Sequence, residues 1–100
     1  MKALLQVGDK VRIRKDIESR SGYKMKTMNV ENCYIPKKMC NPGELVTIAK
    51  VSKYGYKLVE EDFYTYTDEM FDPEIINFLY EEFLENEKEL LEEFVEYNKK

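Results

Sequence analysis

The chain has 100 residues, of which 43% are apolar and 13% aromatic, and its formal net charge is −4. This suits one small domain with a modest core, and no apolar run has the roughly 20 residues of a membrane span or the form of a signal peptide. We therefore expect a cytoplasmic protein without membrane contact, whose first fifty residues are basic and whose last fifty are acidic.

The first predicted element is a short strand that follows a turn at Gly8 and Asp9. Apolar and basic residues then alternate, which places Val11 and Ile13 on one face of the strand. The opposite face is basic, and it is a candidate surface for nucleic-acid phosphates. Its residues are Lys10, Arg12, Arg14 and Lys15.

Residues 16–32 lose this alternation and contain Ser19, Ser21 and Gly22, which predicts a long loop. A short helical turn is expected at residues 34–40, because Pro36 suits a first helical position and an Asn-Pro-Gly sequence follows.

The same region holds the two cysteines, Cys33 and Cys40. Two thiolates in a chain without histidine fall short of the four ligands of a structural zinc site, so we expect no metal and no cofactor. A disulfide would close a small loop, but reduced, partly buried thiols are expected in a protein that is not secreted.

Three further strands are predicted close together. The β-branched run at residues 45–51 indicates a strand buried on both faces, and a hairpin turn leads to a second strand at 56–59 and then to a third at 63–67. Strands at this spacing predict a small sheet or barrel, with Met70 and Phe71 closing one end. Large side chains must fill such a barrel, so Tyr56 and one of Tyr64 or Tyr66 should lie in the core.

The last segment predicts a long amphipathic helix that Asp72 caps and Pro73 begins. Glutamates three or four residues apart repel one another, so packing or a partner must hold this helix. At about 40 Å it exceeds a 70-residue domain of roughly 25–30 Å, and we expect a kink near Glu85, an overhang or pairing with a second copy. Its apolar stripe comprises Ile76, Tyr80, Phe83, Leu90, Phe94 and Tyr97.

These elements resemble a family of small Src-homology-3-like (SH3-like) barrels of unknown function, known from phages, prophages and Gram-positive bacteria. The resemblance covers residues 7–73 and is most specific in the segment Tyr66–Met70. Other segments that contribute to it are Gly8–Ile13, the turn at Tyr34–Met39, Gly43–Ile48, Gly55–Leu58 and Phe71–Pro73. Tyr64 and Tyr66 stand where tryptophan is expected.

The resemblance implies a mainly β chain with a C-terminal α-helix. An SH3-like β-barrel is expected at residues 1–73, followed by one long amphipathic helix at residues 74–100 that is an addition to the family's pattern. Because such folds host many functions, any function carried over from the family is analogy.

No enzyme is expected, because histidine, a nucleophile elbow and a phosphate-binding glycine loop are all missing. We expect a protein-interaction module of a phage or mobile element, whose acidic helix binds a basic protein surface, such as the nucleic-acid channel of a host enzyme. The alternative partner is a second copy, in a homodimer. The expected contact residues are Glu85, Glu89, Leu90, Glu92, Phe94, Glu96 and Tyr97.

Two other functions remain open. A peptide could bind an aromatic groove between the long loop and the sheet. Nucleic acid could bind the basic face, although the acidic helix would repel it. The groove candidates are Tyr23, Tyr34, Tyr54, Tyr64 and Tyr66.

Overall fold

The computed structural model describes residues 3–19 and 22–98, with side chains of the C-terminal helix described as far as Glu87. One turn of 3-10 helix at Asp68–Met70 leads into the helix α1 (Pro73–Asn98). The predicted order of β-strands followed by one C-terminal helix is confirmed. The strands are β1 (Lys10–Arg12), β2 (Gly22–Lys24), β3 (Glu31–Cys33), β4 (Leu45–Ser52) and β5 (Gly55–Leu58).

The strands form two antiparallel sheets that have no strand in common. One sheet has the order β1-β4-β5, and the other is the hairpin of β2 and β3. Strand β1 pairs with the first half of β4, and β5 pairs along β4 across a bulge after Ile48. An isolated bridge joins Ile13 to Phe71, so the chain that leaves the 3-10 helix returns to the end of the first strand.

The core lies between the two sheets and is centred on three aromatic rings. Tyr56 and Phe71 meet edge to face at 5.8 Å, and Tyr66 stacks on Phe71 at 6.2 Å. All three residues and Met70 are fully buried. The prediction that Tyr56 and one of Tyr64 or Tyr66 fill the core is confirmed, and Met70 and Phe71 lie inside the core as well.

The predicted long loop at residues 16–32 is wrong in its second half, where β2 and β3 form a hairpin. Tyr23 and Met25 alternate into the core and are 6% and 3% exposed. Each strand has three residues, which is too short for an alternating pattern to stand out from its polar surroundings.

Asp68 is the polar centre of the core and is itself fully buried. One carboxylate oxygen accepts a hydrogen bond from the hydroxyl of Tyr56 (2.6 Å), and the other accepts one from the backbone N–H of Lys26 (2.9 Å). The Tyr56 hydroxyl in turn accepts a bond from the N–H of Leu5. Burial raises the pKa of Asp68 and moves the pKa of Tyr56 above its usual range. The N-terminal segment, the hairpin, β5 and the 3-10 helix therefore meet at one carboxylate.

Two local predictions are corrected. Residues 34–40 form a turn rather than a helical turn, because Lys37 has φ +70°, in the left-handed region. The strand at residues 45–51 is buried on one face and not on both: Val46 and Ile48 point inward, whereas Leu45 is 47% exposed.

The predicted strand at residues 63–67 is reduced to a single bridge between Tyr66 and Tyr56. The Glu61 carboxylate accepts bonds from the N–H groups of Phe63 (2.7 Å) and Tyr64 (3.2 Å), so these donors are no longer free for a sheet. The remaining bridge depends on Gly55 (φ +133°), since a Cβ there would collide with the carbonyl of Tyr66.

Helix α1 begins where predicted and continues without interruption through Asn98. Asp72 holds its start: its N–H donates to the carbonyl of Arg12 (2.9 Å), and its carboxylate accepts from the N–H of Glu74 (3.0 Å). Ile76 is buried and Leu79 packs on the core, but from residue 81 to residue 87 only Phe83 is even partly covered. The molecule measures 58 × 24 × 20 Å, so the helix overhangs the β-rich part.

Within the described residues, no helix combines the length and the apolarity that crossing a membrane requires.

Replacing Asp68 by asparagine should lower the free energy of unfolding by about 1–3 kcal/mol, because the amide nitrogen brings two N–H donors to a site where the Tyr56 hydroxyl and the Lys26 N–H are donors already. Burial raises the folded-state pKa of Asp68 above its ordinary value of 3.8, so the folded state holds the proton more tightly. The contribution of Asp68 is therefore complete below that ordinary value and decreases as the pH rises through the folded pKa. The deficit of Asp68→Asn should be largest near pH 4 and smaller at pH 7.

Urea unfolding of both proteins across this pH range measures that deficit. Asp62→Asn, at an exposed site, is the matched control and should change stability little. A deficit of Asp68→Asn that stays constant with pH would contradict the assignment.

Candidate functional site

An open cleft of about 680 Å³ lies beside β3, within the size range of ligand-binding clefts. One wall is the continuous run Val30–Cys33 of the hairpin. The other is the segment Phe63–Thr65, and Ile35, Met39 and Tyr54 complete the lining. The cleft therefore lies between the hairpin and the segment that leads to the Tyr66 bridge.

Exposed aromatic and aliphatic side chains line this cleft. Phe63 is 77% exposed, Tyr54 is 57% exposed and Ile35 is 40% exposed. The rings of Phe63 and Tyr64 meet edge to face at 4.9 Å. Large apolar side chains that stay exposed around one cleft mark a candidate binding face.

Two lysines lie beside aromatic residues that line the cleft. The Lys53 ammonium lies 5.1 Å from the ring centroid of Tyr54, and the Lys57 ammonium donates to the carbonyl of Phe63 at 2.9 Å. A lysine has three N–H donors, so both side chains keep donors for an acidic ligand.

Both cysteines are free thiols in the structure. Cys33 is exposed and lines the cleft, whereas Cys40 is buried. Burial raises the pKa of the Cys40 thiol, which keeps it protonated and unreactive.

The predicted aromatic groove is divided between the surface and the core. Tyr54 and Tyr64 line the cleft, but Tyr23, Tyr34 and Tyr66 are buried. Buried hydroxyls need internal partners, and these are present. The Tyr23 hydroxyl accepts from a backbone N–H at 2.6 Å, that of Tyr34 donates to a backbone carbonyl, and that of Tyr66 accepts from the N–H of Cys40 at 2.9 Å.

Sequence reasoning missed Phe63, Ile35 and the edge of β3 as parts of the site. The acidic triplet at residues 60–62 could have indicated that Phe63 is exposed. A carboxylate just before an aromatic run can accept bonds from the N–H groups of that run, which prevents it from joining a sheet and leaves its first side chain outside the core. Nothing in the local sequence marked residues 30–33 as a strand edge.

Two of the four residues of the predicted nucleic-acid face are engaged by their own chain. Arg12 donates to the carbonyl of Gly43 (3.1 Å). Arg14 binds the Asp16 carboxylate (2.8 Å) and the carbonyl of Glu69 (3.0 Å). A small cleft of about 270 Å³ on this side also includes the carboxylates of Asp16 and Asp72. Lys10 and Lys15 are exposed, so two of the four predicted cations are available to a ligand.

The predicted partner-binding residues lie on the second half of α1. Glu85 is exposed. The side chains of the other six lie outside the described residues: Glu89, Leu90, Glu92, Phe94, Glu96 and Tyr97. The described part of the helix also exposes Glu81, Glu82 and Glu87. The ion pairs found among described residues, Arg14–Asp16 and Lys26–Glu69, include none of these helical glutamates.

Among the described side chains, no group of three or more cysteine, aspartate and glutamate residues is placed to hold a metal ion.

Comparison with known proteins shows no matching family model, no matching curated protein and no matching solved structure.

Replacing Glu61 by alanine should loosen the cleft wall, because the carboxylate bonds the N–H groups of Phe63 and Tyr64 and the buried hydroxyl of Tyr66 (3.1 Å). The cost should be about 1–3 kcal/mol of unfolding free energy, as for other buried groups that lose a partner. Hydrogen exchange should accelerate at the amides of Phe63 and Tyr64.

Asp62→Ala removes the neighbouring exposed carboxylate and is the control, with unchanged exchange expected. Equal acceleration in both variants would mean that chain flexibility, and not the Glu61 bonds, sets the exchange rate.

Proposed function

We propose that this protein is a non-enzymatic protein-interaction module whose acidic helix binds a basic protein surface. The observation that carries the proposal is the row of exposed carboxylates on a helix that leaves the β-rich part of the molecule. Glu81, Glu82, Glu85 and Glu87 are all exposed.

These carboxylates lower the stability of the helix that bears them. Like charges three or four residues apart cost about 0.2–0.5 kcal/mol per pair, and Glu81 stands four residues before Glu85. A basic partner surface would offset the repulsion among these carboxylates and would attract the helix, which raises the rate of association. Leu90, Phe94 and Tyr97 continue the helical stripe of Phe83 and would supply the apolar contact.

A non-enzymatic role fits the location of the groups with perturbed acidity. The pKa of Asp68, Tyr56, Tyr66 and Cys40 is raised, above all by burial, and these groups bond one another or the backbone inside the core. Catalytic groups with perturbed pKa values are typically found in clefts, whereas the cleft beside β3 contains none of these four.

We further propose that the β-rich part is an SH3-like barrel that is left open beside β3. The order of strands, the single 3-10 turn and the Ile13–Phe71 bridge support this. A phage or mobile-element origin, a cytoplasmic location and a host nucleic-acid enzyme as the basic partner belong to the same proposal. They rest on the family resemblance and on the acidity of the helix.

Nucleic-acid binding by the basic face has less support, because Arg12 and Arg14 are held by their own chain. Lys10 and Lys15 remain as phosphate ligands, and such binding would weaken steeply with salt.

Replacing Glu81 and Glu85 together by glutamine should weaken binding to polylysine and to folded cationic proteins about three- to tenfold at low salt, the effect expected for two rim charges. Titration calorimetry measures the affinity. A variant with Glu18→Gln and Asp62→Asn carries the same net charge and is the control, because its changes lie on exposed sites away from the helix.

Equal loss of affinity in both variants would show that net charge alone drives binding and would contradict a helix-specific site.

Sedimentation of the full chain and of a chain ending at Asn86 distinguishes the two candidate partners, a basic protein surface and a second copy. A dimer that is lost on truncation identifies a second copy as the partner, whereas a monomer in both cases leaves the basic surface as the partner.

A further inference from the structure

The free edge of the hairpin can be located from its hydrogen-bond register. Antiparallel strands alternate between residue pairs that exchange backbone bonds and pairs that do not. The N–H of Met25 donates to the carbonyl of Val30, and alternation makes Asn32 the next residue of β3 that bonds to β2. Glu31 and Cys33 therefore direct their N–H and C=O groups away from β2.

The two edges of the hairpin differ in how they are covered. The outward N–H groups of Lys24, at the end of β2, and of Lys26, just after it, donate to the carboxylates of the 3-10 helix at 2.7 and 2.9 Å. Among the residues that the structure describes, no acceptor bonds the outward N–H of Glu31 or of Cys33, and both residues are exposed. One edge is therefore closed by carboxylates and the other is open.

The open edge faces the cleft. Side chains along a strand alternate between its faces, so a cleft over one face would contact every second residue. Here the consecutive residues Val30–Cys33 all line the cleft, which therefore runs along the strand edge. On the opposite wall the N–H groups of Phe63 and Tyr64 are bonded to Glu61, so these two donors are not free to pair with β3.

Two ammonium groups beside the aromatic side chains of the cleft favour an occupant that carries a carboxylate. The ammonium groups of Lys53 and Lys57 lie beside Tyr54 and Phe63. A Cβ on Gly22 would collide with the Glu31 carboxylate, which places that carboxylate over β2.

We propose that the β3 edge binds an extended peptide segment of another protein as an additional strand. The segment carries apolar side chains at alternate positions, which pack on Ile35, Tyr54 and Phe63, and a carboxylate that meets Lys53 and Lys57. Backbone hydrogen bonds to Glu31 and Cys33 require a peptide in an extended conformation, and the two lysines favour a peptide that is negatively charged. This site is separate from the acidic helix and does not depend on the function proposed for it.

The first test uses pools of acetylated octapeptides with valine, isoleucine or phenylalanine at alternate positions and aspartate and threonine between them. In an NMR titration the amides of Glu31 and Cys33 should shift and exchange more slowly with solvent. Pools with lysine in place of aspartate should bind at least about fivefold more weakly, since the rim is cationic. No perturbation of these amides at millimolar peptide would overturn the proposal, as would tighter binding of helical or proline-rich peptides.

The second test leaves the protein unchanged. Methylating every second backbone nitrogen of a binding peptide blocks either the donors that face β3 or those that face away. One methylated series should lose affinity at least about tenfold, and the other should keep it, because a strand directs alternate donors to opposite edges. Equal affinity of the two series would rule out strand addition.

Protein variants provide matched controls. Cys33→Pro removes an outward N–H, so it should abolish peptide binding and leave the melting temperature unchanged. Asn32→Pro removes a backbone bond to β2, so it should lower the melting temperature. Lys53→Gln should weaken binding of the aspartate-containing peptides only. Lys50→Gln, at an exposed position of β4, should leave the binding of both peptide pools unchanged. Full peptide affinity in Cys33→Pro would contradict the assigned register.

Discussion

The buried carboxylate of Asp68 is the interaction on which the rest of this structure depends. It accepts the hydroxyl of Tyr56 from one side and the backbone of Lys26 from the other, and through Tyr56 it reaches Leu5. A buried carboxylate is costly unless such partners surround it. The hairpin, the N-terminal segment and β5 therefore do not pack independently, because each supplies part of the hydrogen bonding that the same buried carboxyl group requires.

Carboxylates also decide where pairing between strands stops. Glu69 and Asp68 bind the outward N–H groups of Lys24 and Lys26 in the first arm of the hairpin, and Glu61 binds those of Phe63 and Tyr64. Side-chain acceptors compete with sheet formation for the same backbone N–H groups. The hydrophobic pattern would allow a continuous sheet through residues 63–67, but these acids end it, and the cleft beside β3 is the result.

The elements that sequence reasoning located correctly are those with a local physical cause. Asp72 and Pro73 mark a helix start within two residues, Gly55 marks a hairpin turn, and Met70 and Phe71 are an adjacent apolar pair. The missed elements depend on contacts between distant residues: the bonds from Lys24 and Lys26 to the 3-10 helix span 45 and 42 residues. For the candidate site, Tyr54 and Tyr64 could be found from composition, but the open edge could not, since its recognition requires the pairing register.

The attachment of α1 through Asp72, Ile76 and Leu79 separates two kinds of evolutionary constraint. Substitutions in the first two turns alter packing on the core and are limited by folding. From residue 81 onward the described side chains are mostly exposed, so substitutions there change the helix surface with little effect on the folding of the β-rich part. The overhang is therefore constrained by what it contacts, whereas the part that anchors it is constrained by folding.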